Sequence, residues 1–183
     1  FKPLVSAADS LPAILLAVLI AHLLWFAGIH GATIVSGMLQ MFWLTNLGMN
    51  QSALAAGTPL PHIFMEVFWT FFIVIGGSGA TMGLVICYLR SRSAHLRSIG
   101  RLSVVPSVFN INEPVIFGTP IVMNPVFFIP FLLAPTVNAV IAWAAMKMDL
   151  IGRVISVVPW TAPAPIGAAW GLGWDFRAAI LVV

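Results

Sequence analysis

Residues 109–120, FNINEPVIFGTP, place one carboxylate and two amides inside a chain that has only 5 Asp and Glu among 183 residues. Glu113 is followed by Pro114, which lacks a backbone donor and disfavours helix at the residue before it. Glu113 is therefore expected at a break in the chain, where loose backbone groups face a polar cavity. Asn110 and Asn112 add amide donors and acceptors. A carboxylate among amides suits a polyhydroxyl solute such as a sugar, which needs acceptors and donors in fixed positions. The competing reading has the Asn side chains capping a turn and Glu113 facing water.

His30 is the second candidate. It sits in WFAGIHGATIVSG between Gly28 and Gly31. A neutral imidazole offers one donor and one acceptor, and flanking glycines let the backbone approach a ligand. A lone His is as often a satisfied core residue, and both readings stay open. His22, in an unbroken helix-like run, reads as structural. His62, after Pro61, and His95, in a basic stretch, read as solvated. The four His are scattered, without His-x-x-x-His or His-Glu-x-x-His spacing, so no metal site is expected. No Gly-x-Ser-x-Gly surrounds a serine nucleophile. Trp160, Trp170 and Trp174 lie in the Pro- and Gly-broken VPWTAPAPIGAAWGLGW, where one of them can stack on a pyranose face or all can belong to an interfacial belt. Trp25, Trp43 and Trp69 read as belt residues.

The chain that must position these groups is 61% hydrophobic and 7% charged, with mean hydropathy +1.06. Soluble domains carry about 25% charged residues, so the sequence reads as an integral membrane protein. The net charge is +3, and residues 90–101 hold four of the 8 Lys and Arg. Local clustering of this kind marks a cytoplasmic loop rather than a nucleic-acid surface. Contact with anionic lipid is the simple reading of that stretch, and docking of an acidic partner the sharper one. The single Cys87 lies in an apolar run, which predicts a buried thiol without an intrachain disulfide.

Ser10 can cap a helix over residues 11–27, with Pro12 tolerated in its first turn. The run breaks around His30 and resumes to Leu47, the pattern of a discontinuous or re-entrant helix whose break lines a cavity. Residues 48–61 read as a loop. Residues 63–89 are long enough to span a bilayer in one helix, with Glu66 near the start and Gly79-x-x-x-Gly83 available for close helix packing. Residues 121–146 also span, with Pro125, Pro130 and Pro135 kinking or interrupting them. Residues 158–174 are too broken for a plain helix. The expected fold is one all-α domain over residues 1–183: polytopic transmembrane helices with re-entrant or broken helical hairpins. The chain opens without Met and closes on apolar residues, so a longer parent protein is expected.

Three segments in order, WFAGIHG, NINEPVIFGTPIVMNP and PWTAPAPIGAAW, give the chain a family likeness. It resembles, over essentially its whole length, the membrane permease (enzyme IIC component) of the phosphoenolpyruvate-dependent sugar phosphotransferase system, in the lactose/cellobiose/diacetylchitobiose branch. Proteins of that family are much longer. The resemblance implies a C-terminal transport portion, without the N-terminal dimerisation helices and the extreme C-terminus. It also implies that His30 and Glu113 lie in the sugar site on broken segments, with Asn112 beside them and Trp160 stacking on the sugar.

The implied substrate is a β-linked disaccharide such as cellobiose, diacetylchitobiose or lactose. It is carried inward and phosphorylated on its 6-hydroxyl by a phosphocysteine of a separate cytoplasmic enzyme IIB subunit. Glu113 would position or deprotonate that hydroxyl; base catalysis requires reach to the proton, while phosphoryl transfer depends mostly on alignment and electrostatics. The resemblance further implies no cofactor on the permease, a homodimer in the full-length protein, and a multi-pass location in the bacterial plasma membrane, in contact with lipid and with no nucleic acid. Cys87 is not expected to carry phosphate. The rival readings are a proton- or cation-coupled secondary sugar transporter with Glu113 as its ion site, a membrane enzyme using His30 and Glu113 in acid–base chemistry, and a scaffold whose polar residues only join helices.

Overall fold

A computed structural model describes residues 7–183; residues 1–6 lie outside the described residues. Helix α1, Leu11–Phe26, begins where Pro12 can occupy the first turn, because the missing N–H has no helical partner there. Ser10 holds the N-cap position, but its hydroxyl donates to the Ala7 carbonyl at 2.7 Å and caps no amide. After a turn with Gly28 at φ +86°, helix α2 runs over Gly31–Ala55. The two form an antiparallel hairpin. Asp9, ahead of α1, accepts from the amides of Ile63 and Phe64, while Asn46 and Asn50, late in α2, donate to the carbonyls of Phe64 and His62. At the other end, a Cβ on Gly31 would run into the Ala21 carbonyl, so the helices close to backbone contact there.

Helix α2 continues through the polar residues expected to form a loop. Asn50 donates to the carbonyls of His62 and Val154, each at 2.9 Å, and Gln51 to that of Ile155 at 3.1 Å. Their polarity holds neighbouring loops in place and leaves the helix intact.

Residues 63–89 are not one helix, contrary to expectation. After an extended stretch come a single α-helical turn, α3 (Glu66–Phe68), and a π-helical turn, Trp69–Ile73. A glycine-rich loop leads on to helix α4, Met82–Leu89. Gly77 and Gly79 have φ of +102° and +82°, a backbone region that side chains with a Cβ avoid. Gly79 lies in the loop and abuts the Phe131 ring, while Gly83 lies in α4 with nothing within 4 Å of an added Cβ, so Gly79-x-x-x-Gly83 is not a helix-packing motif here. Non-helical backbone at membrane depth must be covered by protein or line a cavity. Ile63, Phe64, Met65 and Val74, in the irregular backbone on either side of the two turns, are accordingly buried.

Helix α5, Ala94–Val108, folds back on α4, with Gly100 against the Tyr88–Leu89 backbone. The basic stretch is thus a turn and the start of a helix, with Arg90, Arg92, Arg97, Arg101 and His95 all exposed. A short helix α6 (Glu113–Gly118) leads to α7 (Pro125–Lys147), long and apolar enough to cross a bilayer. Pro125 starts α7, while Pro130 and Pro135 are accommodated inside it. Val126, Ile129, Leu133, Val137 and Val140 form an exposed apolar stripe along it. Helices α8 (Ala164–Gly171) and α9 (Phe176–Leu181) complete a chain in which all regular structure among the described residues is helical.

Cys87 is exposed, against the expectation of a buried thiol. The burial argument assumes water outside. Where the surroundings are lipid, an apolar run can present its residues outward at no cost.

Two apolar cores organise the molecule. One gathers α1, the second half of α2, residues 63–74, the end of α7 and α8. The other holds Trp25, Val85, Tyr88, Ile99, Val115, Ile116, Ile121 and Phe131. Helix α7 contributes to both, and a cavity opens where residues of both cores meet.

Candidate functional site

The cavity has a volume of about 500 Å³, within the roughly 300–1,000 Å³ usual for small-molecule sites. His30, Asn112, Glu113 and Trp160, which lie up to 130 positions apart in the chain, all line it.

His30 is the N-cap of α2, and its Nδ1 accepts from the Thr33 amide at 3.3 Å and lies 2.8 Å from Thr33 Oγ1. An amide only donates, so Nδ1 is the bare nitrogen and the ring proton sits on Nε2. His30 therefore offers a donor. Its ring packs on Trp25 with centroids 4.3 Å apart.

Glu113 lies in the first turn of α6. The break falls just before it and not at it, because Pro114 also occupies the first turn, where its missing N–H is harmless. Asn110, at φ +61°, makes the sharp approach. Among the described residues the Glu113 carboxylate has no hydrogen-bond or ion-pair partner, and the side chain is exposed along the cavity wall. It is a free acceptor.

The amide hydrogens of both asparagines are occupied. Asn110 accepts from the Gly76 amide at 3.2 Å and donates to the carbonyls of Trp160 and Ala162 at 2.8 and 3.0 Å. Asn112 is buried and donates to the Ser78 carbonyl at 2.6 Å and to Thr81 Oγ1 at 2.9 Å. Three loops, residues 76–81, 110–113 and 160–162, are thereby stitched into one wall. The sequence reading of these amides as free partners for a solute, or as turn caps, missed this use.

Trp160 is 53% exposed and lines the cavity. Trp170 and Trp174 instead stack on each other, 6.3 Å apart and nearly parallel. Trp25, Trp43 and Trp69, expected in a belt, are buried and line the cavity. Glu66, Thr33, Ser36 and Thr70 line it too and were not singled out as site residues. For Glu66 the signal was available: an acid within an apolar run is costly in a membrane. The reading of residues 63–89 as one spanning helix gives Glu66 only a place near the start of that helix.

The remaining histidines lie elsewhere. His22 is buried and its Nδ1 donates to the Val18 carbonyl at 2.7 Å. His62, expected in solvent, is buried, with Nδ1 3.2 Å from Asp9 Oδ2 and its backbone amide donating to Asn50 Oδ1. The polar residues around Pro61 fold inward as a knot that holds the extended stretch leading to Glu66. Among the described residues no three His, Cys, Asp or Glu side chains converge on a metal-binding arrangement. Outside the spanning segments, Asp175 accepts from the Gly152 amide and from Arg177, and the Arg177 guanidinium holds its carboxyl below the ordinary value. That pair joins the loop after α7 to the start of α9.

The cavity thus pairs a donor (His30 Nε2–H) with a free acceptor (the Glu113 carboxylate) between aromatic walls. A hydroxyl both donates and accepts, and an aromatic face covers the apolar side of a sugar ring.

The family described as "Phosphotransferase system, EIIC" matches residues 2–135. The chain is similar to the putative permease IIC component YwbA of Bacillus subtilis (strain 168), 41% identical over 181 residues, covering 98% of this chain and 41% of that protein. It is also similar to a cellobiose-specific EIIC component of Geobacillus stearothermophilus, 41% identical over 186 residues, covering 100% of this chain and 41% of that protein. Among solved structures it superimposes on the transporter ChbC, the IIC component of an N,N'-diacetylchitobiose-specific phosphotransferase system, with TM-score 0.94 and 42% identity over 99% of this chain and 42% of that one. The chain therefore spans under half the length of these relatives. The family match over residues 2–135 makes this chain a member of the EIIC family of the phosphotransferase system, whose relatives here are membrane permeases.

Proposed function

We propose that this chain forms the sugar-binding and translocating part of a phosphotransferase permease in a bacterial plasma membrane, and that its substrate is a β-linked disaccharide. The observation that carries the reading is the unpartnered Glu113 carboxylate sharing a cavity with the Nε2–H of His30. Glu113 accepts a hydrogen bond from a sugar hydroxyl, His30 donates to a sugar oxygen, and Trp160 covers a ring face. Asn112 acts by holding the wall. The names of two relatives, one specific for cellobiose and one from a diacetylchitobiose system, support the substrate class.

In this reading the 6-hydroxyl attacks the phosphorus of a phosphocysteine on a separate IIB subunit. The S–P bond breaks, the cysteine sulfur leaves as thiolate and the proton released by the hydroxyl ends on it, while Glu113 aligns the attacking oxygen. The exposed arginines at residues 90–101 mark the cytoplasmic face.

The test is sugar uptake into membrane vesicles containing the full-length protein. Supply of phosphoenolpyruvate and the soluble phosphotransferase proteins should yield internal sugar 6-phosphate without any imposed ion gradient. Accumulation of unmodified sugar driven by a proton gradient alone would overturn the reading.

A further inference from the structure

The cavity has a second carboxylate. Glu66 opens α3 half-buried, and Gln40 Nε2 donates to its Oε2 at 3.5 Å. Among the described residues Oε1 accepts from no protein group. Glu66 faces the first half of α2: Thr33, Ser36, Gln40 and Trp43 recur there at spacings of three and four, which places them on one helix face. From His30 to Gln40 that face advances about 15 Å, at 1.5 Å per residue. His30 and Glu66 with its Gln40 partner are therefore separate polar stations along the cavity.

Beyond Glu66 lies a smaller cavity of about 100 Å³, with Leu44, Leu47 and Val157 in its wall. Trp43 and Glu66 line both cavities, so they form the partition between them. A site for one ring needs only one such station. Two stations and a mostly apolar annex fit two linked rings, the second carrying a variable substituent.

Resting on the sugar-binding reading above, we propose that Glu66, held by Gln40, is a specificity-determining residue that accepts hydrogen bonds from the ring lying away from Glu113. The smaller cavity behind it receives the substituent of that ring.

The test compares two probes on the full-length protein in detergent: cellobiose, and cyclohexyl β-glucoside, which replaces the second ring by one without hydroxyls. Both are measured by competition against radiolabelled cellobiose. Glu66→Gln should weaken cellobiose binding at least tenfold and leave cyclohexyl β-glucoside unchanged. Gln40→Ala, which keeps the carboxylate but frees it to move, should shift cellobiose in the same direction by less. Glu113→Gln should weaken both probes. Unchanged cellobiose binding in Glu66→Gln, or equal losses of both probes, would overturn the proposal for Glu66. If Glu113→Gln weakens neither probe, the sugar-site reading falls first and takes this inference with it.

Discussion

Asn112 Nδ2 donates to the Ser78 carbonyl at 2.6 Å, which fastens the segment carrying Glu113 to the glycine-rich loop of residues 76–81. The second hydrogen of the same amide goes to Thr81 Oγ1. Asn112 therefore positions the acceptor without spending its own donors on a ligand. Replacing it by Ala strands a buried carbonyl, which costs about 1–3 kcal/mol. Asn112→Ala should lower the thermal unfolding midpoint in detergent and weaken sugar binding together. A loss of binding with an unchanged midpoint would make Asn112 a direct ligand instead.

The same contact constrains Gly77. A Cβ there would collide with the Asn112 side chain, and φ is +102°. Left-handed backbone alone costs a non-glycine residue about 1–2 kcal/mol. Gly77→Ala should be clearly destabilised in a thermal unfolding assay. Gly83→Ala is the control, because nothing lies within 4 Å of its added Cβ and Ala favours helix. Equal midpoints for the two variants would contradict the loop geometry.

His30 has two separable jobs. Nδ1 caps α2, and the residue lines the cavity with Nε2–H as its remaining donor. His30→Asn keeps a capping side chain, whereas His30→Ala also loses the cap, worth about 1 kcal/mol. Both variants should bind sugar at least tenfold more weakly. Only His30→Ala should also unfold at a lower temperature, as followed by tryptophan fluorescence.

Asp175 gives a pH dependence with a definite sign. Its folded-state value lies below the ordinary 3.8, chiefly through the hydrogen bond from Arg177. A depressed carboxyl binds its proton less readily when folded. Its stabilisation is complete above 3.8 and fades as pH falls through the lower folded value. Wild type should therefore exceed Asp175→Asn in unfolding midpoint at neutral pH, and the gap should narrow on acidification below the ordinary value. A gap that widens there would contradict the assignment. The guanidinium is exposed, so the effect at neutral pH should be small.

The break at His30 was legible because glycines on both sides interrupt an apolar run, a cue local to the chain. Glu113 was legible because an acid beside Pro and Asn has no cheap place in a membrane. Residues 63–89 were not, because a continuous apolar run reads alike whether it is a helix or a buried irregular segment. Only the tertiary contacts of Gly77 with Asn112 and of Gly79 with Phe131 decide between them. That misreading hid Glu66. Trp25, Trp43 and Trp69 were hidden for a similar reason: an aromatic at a helix end and one in a cavity wall look identical in sequence. His62 turned inward through Asp9, whose partner lies 53 positions along the chain.

The most direct measurement is equilibrium binding of radiolabelled cellobiose and diacetylchitobiose to the full-length protein in detergent, wild type beside Glu113→Gln. A hydrogen bond to a charged group is worth about 1.5–3 kcal/mol, which corresponds to roughly 10- to 150-fold in affinity. The account predicts that wild type binds at least one of these sugars and that Glu113→Gln, still monodisperse, binds it at least tenfold more weakly. Binding by Glu113→Gln as tight as by wild type would contradict it, because the free carboxylate in the cavity would then hold no sugar hydroxyl.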